Sequence, residues 1–147
     1  QKIVPFDLRR HITDPEALLV NFVRSYQPFP QFSWQLDRIG YWGGTVTFFN
    51  LQLAAYLGCN PIVLVGIDHS YNTQVAVEKD GPRWKSLEDD PNHFDPNYFG
   101  KGYRWHDPNV DRMEAAYRCA KAECERRQVK ILNATVGGKL EVFPRVT

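Results

Sequence analysis

The sequence predicts an α/β fold built on a mostly parallel sheet, and three observations predict it. Ile62–Ile67 (IVLVGI) is a continuous, largely β-branched run, the pattern of a strand buried on both faces. It follows an apolar helical stretch, Val46–Leu57, through a short Gly58-Cys59-Asn60-Pro61 turn, which is the second half of a βαβ unit. Downstream, an amphipathic stretch, Asp111–Gln128, leads into another short strand, Val129–Leu132.

Taken in order, the elements read as follows. Lys2–Phe6 is a short strand weakened by Pro5. Asp14-Pro15-Glu16 carries the signals of a helix start: a capping Asp, a proline at the first helical position and an acid in the first turn. Leu18, Leu19, Phe22, Val23 and Tyr26 continue at helical spacing until Pro28 and Pro30. Gln31–Ile39 alternates aromatic or apolar residues (Phe32, Trp34, Leu36) with polar ones, as a short strand or extended segment does. Gly43-Gly44-Thr45 then makes a glycine turn into the buried helix Val46–Leu57, with Gly58 as its stop.

Asp68–Asn109 shows little periodicity and reads as a long aromatic-rich loop, with room for a short helix near Trp84–Leu87. In Asp111–Gln128 the stripe Met113, Ala116, Tyr117, Ala120 and Cys124 faces inward, with acids near the start and Arg126 and Arg127 near the end. Asn133–Gly138 is a loop, and Leu140–Phe143 a last strand. The whole, residues 1–147, reads as one Rossmann-like layered domain.

Composition excludes several classes. Eighteen Lys+Arg against seventeen Asp+Glu leave a net charge of +1, without the positive excess of a nucleic-acid binder. No apolar run approaches the roughly 18 residues that a membrane span needs, and no secretion leader is visible. Cys59, Cys119 and Cys124 are an odd set with neither C-x-x-C nor zinc spacing, so they read as small buried residues in a reducing, cytoplasmic compartment. Aromatics reach 14%, either as packing under long loops or as stacking surfaces for a ring-bearing ligand.

Ligands of open parallel sheets bind beyond the carboxyl ends of the strands. That rule selects Asp68, His69, Ser70 and Tyr71 after the first predicted strand, and Asn133 and Thr135 after the next. The Gly43-Gly44-Thr45 turn precedes a helix whose first amides lack internal partners, so it is an anion cradle or simply a tight turn with a threonine cap. Asp68 could hold a ribose hydroxyl or a metal, act as a base, or cap its own loop. His106, in Trp105-His106-Asp107-Pro108-Asn109, stands just before the amphipathic helix, where it serves as general acid or base or bonds a backbone carbonyl. His93, Asp95 and His106 match no zinc spacing, and His11 reads as a surface residue. No G-x-S-x-G, G-x-x-x-x-G-K-[ST] or G-x-G-x-x-G motif occurs.

The segment Gly43-Gly44-Thr45, the apolar helix ending in Leu57-Gly58, and Gly66-Ile67-Asp68 together resemble a core shared by two related groups. One is the 6-hydroxymethylpterin diphosphokinase-like family, which includes motility-associated flagellin glycosyltransferases; the other is the bacterial family 42 sialyltransferases. The sialyltransferases carry their catalytic histidine before a helix in a Gly-His-Ser-x-Asn-x-Asp context, which His106, Asn109 and Asp111 match. The resemblance implies that His106 takes a proton from the acceptor hydroxyl. It implies that Gly43, Gly44 and Thr45, through their backbone, and Asp68 line the nucleotide, and Asn133 joins them by its position at the end of the next strand. Of the two tyrosines that steady the leaving phosphate in that family, Tyr71 lies one residue beyond the first position. No residue matches the second; Tyr98 and Tyr103 are loop candidates.

Asn133-Ala134-Thr135 through Phe143-Pro144-Arg145 is similar to the tail of bacterial diphosphokinase-like members. Both groups begin with a strand and a nucleotide loop that residues 1–30 do not repeat, so that first βα unit is lost or lies upstream of Gln1.

The resemblance implies a bacterial transferase that moves a CMP-linked nonulosonate to a surface polysaccharide or protein acceptor, without a metal or a tightly bound cofactor. A pterin diphosphokinase is the alternative; it would need Mg²⁺, with Asp68 and Asp95 as ligands. A third reading is a non-catalytic binding module whose aromatic loop is a partner surface, with self-association as a possibility to test.

Overall fold

The computed structural model describes residues 2–71, 77–80, 83–87, 101–106 and 108–146; for Val77, Lys79, Asp80, Arg83, Trp84, Trp105 and His106 it describes the backbone alone. The fold is mixed α/β. Strand β1 (Ile3–Pro5) and a 3-10 turn (Phe6–His11) lead to β2 (Leu18–Val20), β3 (Phe22–Val23) and β4 (Gly40–Tyr41). Helix α1 (Val46–Tyr56) is followed by β5 (Ile62–Leu64), then β6 (Val77–Asp80), β7 (Arg83–Ser86) and β8 (Arg104–His106). Helix α2 (Val110–Arg126) and β9 (Ile131–Asn133) complete it.

The strands form small sheets. β1 pairs with β2, β3 with β4, and β5 with β9, all parallel, while β6, β7 and β8 form an antiparallel meander. The β5–β9 register sets Ile62 against Ile131 and Leu64 against Asn133.

Both helices follow their local signals. The Thr45 hydroxyl caps α1 by accepting the Thr47 N–H, and Asn109 caps α2 by accepting the Arg112 N–H at 2.9 Å. Gly58 follows α1 with φ +79. The predicted stripe of α2 is buried throughout: Met113, Ala116, Tyr117, Ala120 and Cys124 join Phe48, Leu51 and Ala55 of α1 in one core. Ile62 and Leu64 of β5, Ile131 of β9, and Leu140, Val142 and Phe143 belong to the same core. Burial pushes the Cys124 thiol up to about 11, Cys119 is half-buried, and Cys59 is exposed, so only Cys124 fully meets the expectation of a buried thiol.

Several expectations are corrected. Residues 16–26 are not a helix. Asp14 closes a turn instead: its carboxylate accepts the Glu16 N–H at 3.0 Å and its carbonyl the Ala17 N–H at 3.2 Å. The chain that emerges pairs as β2 and β3 with strands on either side in sequence. These inter-strand hydrogen bonds replace those of a helix. Gln31–Ile39 forms no strand; Gly40–Tyr41, just after it, does.

The expected irregular loop Asp68–Asn109 instead holds three strands, β6, β7 and β8, and where a short helix is expected near Trp84–Leu87, residues 84–86 lie in β7. Leu140–Phe143 forms no strand, although Leu140, Val142 and Phe143 are buried; a single parallel bridge joins Asn133 to Arg145. Nor is Ile62–Ile67 buried on both faces. Ile62 and Leu64 point inward, while Val63 is 48% and Val65 72% exposed, because among the described residues nothing covers the outer face of this two-stranded pair.

Candidate functional site

The site is built where β5 and β9 end. The Ala134 N–H donates to Leu64 O at 2.8 Å, and the Ile67 N–H to the Thr135 hydroxyl at 3.0 Å. Asn133 is buried; its amide nitrogen donates to Leu140 O and its amide oxygen accepts the Thr135 N–H. The Arg145 guanidinium gathers the carbonyls of Thr135, Gly137 and Gly138. One arginine thereby closes the loop after β9. That loop meets the one after β5 at Asp68, whose carbonyl accepts the Lys139 N–H at 2.6 Å. A Cβ on Gly138 would lie 2.5 Å from that same carbonyl oxygen, so only glycine allows the two backbones to approach.

The two helix starts close in from the other side. Gly43 is buried, and a Cβ there would overlap the Phe48 ring and lie 2.7 Å from Ala116 Cβ. Gly44 has φ +89 and lies against Met113. The glycine turn therefore seats the start of α1 against α2. Thr45 caps α1, and the Thr45 and Thr47 hydroxyls oppose the upward push that burial gives the phenol of Tyr117.

His69 lies between these parts. Its φ of 51 is uncommon for a residue with a side chain and turns the imidazole inward, where the side chain is only 2% exposed. The ring stands edge-on to Tyr71 and Tyr117, with centroids 6.0 and 5.6 Å away. Its Nε2 has no hydrogen-bond partner among the described residues; Glu114 Oε1 lies 3.8 Å away. Burial lowers the His69 pKa, against the opposing pull of Glu114 and Asp68. The Tyr71 hydroxyl donates to Met113 Sδ at 3.5 Å, and burial raises its pKa, helped by Tyr117 and Asp68.

The structure thus brings Gly43, Gly44, Thr45, Asp68 and Tyr71 together around α2, and joins Asn133 to them through Thr135 and Ile67. Asp68 also caps its own loop, accepting the Ser70 N–H at 3.4 Å. His106 ends β8, and its side chain lies outside the described residues, as do His93, Asp95 and Tyr98. Tyr103 is exposed. Among the described residues no three His, Cys, Asp or Glu side chains gather as a metal would require. No helix among them is long and apolar enough to cross a membrane.

Sequence reasoning missed Glu114 as a site residue. Its spacing to Arg118 marks an exposed helical ion pair, which it does form, and nothing local reveals that its other oxygen faces a buried histidine. An open recess of about 360 Å³ lies elsewhere, between Trp34, Tyr41 and Arg127, and none of the site residues lines it. No protein-family model, curated protein or solved structure matches the chain.

Proposed function

We propose that the chain is a glycosyltransferase-like domain with a Rossmann-like layered core, which transfers a sugar from a nucleotide donor, a CMP-linked nonulosonate, to a glycan or protein hydroxyl. The observation that carries the reading is the meeting, at the carboxyl ends of parallel β5 and β9, of the Asp68–Tyr71 segment, the Ala134–Gly138 loop and the N-terminal turns of both helices. This is the edge at which open α/β sheets bind nucleotides. The turn at the start of α1 offers a positive dipole end to a phosphate, and Tyr71 offers a phenol hydroxyl whose contact in the free chain is the long one to Met113 Sδ.

In the transfer, the bond between the sugar carbon and the nucleotide phosphate oxygen breaks, and the acceptor oxygen bonds to that carbon. The acceptor proton passes to His106, and CMP leaves with the electron pair. Positioning and phosphate stabilisation supply most of the rate, and His106 supplies base assistance.

The test is thermal unfolding of the chain with CMP, CDP, ATP and GTP, each with Mg²⁺ or with chelator. A ligand at a hundred times its Kd adds roughly 2.7 kcal/mol, a shift on the order of 5–10 °C for a chain of this size. A metal-independent shift with CMP or CDP is the expected result. A shift only with ATP and Mg²⁺ replaces this reading with a diphosphokinase, and no shift with any nucleotide overturns both.

A further inference from the structure

His69 Nε2 is the one buried side-chain polar atom that lacks a hydrogen-bond partner among the described residues. Buried polar groups are normally satisfied, and an unsatisfied one calls for a reason. The Glu114 carboxylate faces it, with Oε1 at 3.8 Å. That separation is too long for a hydrogen bond. A bridging water or an approach of about 1 Å would satisfy both groups. The approach is the one that joins the His69 segment directly to α2.

The two sides of this gap are unequally held. Glu114 sits in the second turn of α2, a helix capped by Asn109 and packed across the core, and its other oxygen is occupied by Arg118. His69 sits in the segment after β5, at a positive φ, tied nearby by the Lys139–Asp68 bond and by the weak Tyr71–Met113 contact. Closure is a movement of the Glu114 side chain, 30% exposed, or of the His69 segment, and either one ties that segment to α2. The groups facing the imidazole are Asp68 and Tyr71 from its own segment and Glu114 and Tyr117 from α2; Arg118 is held at one remove by Glu114, and Thr45 and Thr47 by Tyr117.

We propose that His69 is a positioning residue, a latch whose closure onto Glu114 locks the Asp68–Tyr71 segment against α2 when nucleotide binds. The inference rests on the nucleotide-sugar reading above. The imidazole itself is too buried to meet the ligand; it acts through Asp68 and Tyr71. Ligand contacts that hold the segment in its closed position stabilise the His69–Glu114 bond, and the bond in turn favours the ligand. The Nε2–H tautomer is the one that closure selects, because a carboxylate can only accept.

The experiment measures CMP binding by calorimetry to the full chain and to its Glu114→Ala, Glu114→Gln and His69→Phe variants, alongside the proton and nitrogen resonances of the His69 ring. Losing one hydrogen bond formed only in the bound state weakens CMP about tenfold in Glu114→Ala and His69→Phe. Glu114→Gln keeps an acceptor oxygen at this position and restores most of the affinity. CMP also slows solvent exchange of the Nε2 proton in the unmodified chain, a signature that a merely structural role does not produce. Equal CMP affinity in all four chains, with the ring resonances unmoved by CMP, overturns the latch. If no nucleotide binds, the functional reading fails and takes the latch with it, whereas CMP bound equally by all four chains fails the latch alone.

Discussion

The Thr135 hydroxyl accepts the backbone N–H of Ile67 at 3.0 Å, joining the ends of β5 and β9 across 68 residues of sequence. A side chain here takes over where the strand ladder stops. The Thr135 backbone N–H is held in turn by Asn133 Oδ1, so a short relay of bonds sets the height at which the two site loops leave the sheet.

Thr135→Val keeps the shape and leaves the Ile67 N–H without an acceptor. We expect a loss of about 1–3 kcal/mol, which is a fall in Tm of roughly 3–9 °C, while Thr135→Ser retains most of the stability. Chemical denaturation of the two variants checks this, and equal stability in both would show that the hydroxyl contributes nothing.

Gln52 is a polar residue in the middle of an apolar helix, and it is completely buried. Its oxygen accepts the N–H groups of Ser33 and Tyr41, both at 3.1 Å, and its nitrogen donates to the carbonyls of Tyr41 and Phe48. It ties the irregular 31–39 segment to α1. Gln52→Leu fits the volume and strands the two N–H groups, so we expect a loss of about 2–5 kcal/mol. A urea midpoint unchanged from the parent would contradict it.

Neighbouring glycines separate conformational from steric need. Gly137 (φ +69) faces open space, whereas Gly138 (φ +75) lies against the Asp68 backbone. Gly137→Ala should cost about 1 kcal/mol, the strain of a left-handed alanine alone. Gly138→Ala must also push the two site loops apart, and should cost about 2–4 kcal/mol and weaken any nucleotide that binds there. Paired melting curves read the difference, and similar losses would disprove the close approach.

His69 makes stability fall as the solution is acidified. Burial lowers its pKa below the ordinary histidine value, so the unfolded chain binds the proton more readily than the folded one. The contribution is fully present above the ordinary value near 6.5 and is lost as pH falls through the folded-state value. His69→Phe should flatten this part of the stability profile between about pH 7.5 and 5. Glu114→Gln removes an opposing pull and should steepen it. Denaturant titrations across that range decide, and a profile identical in all three chains would falsify the assignment.

Much of the helical frame was legible. Thr45, Gly58 and the Met113–Cys124 stripe mark α1 and α2, because a helix closes its hydrogen bonds within a few residues and its caps and apolar spacing are written locally. The same stretch shows where local reading ends. Asp14-Pro15 fits a helix cap and a turn equally well, and pairing with β1, which no local residue records, makes it a turn. The candidate loops were placed by strand polarity alone, since the carboxyl ends of β5 and β9 follow from the chain direction.

The sequence by itself determined the two helices and the approximate places of β5 and β9. Only the tertiary structure decided that β5 shows its outer face, that Gln52 is enclosed, and that His69 is turned inward toward Glu114. The physical reason is range. Helix caps and periodicity act over one or two turns of chain, whereas the burial and hydrogen bonding of a polar group depend on what distant segments bring beside it.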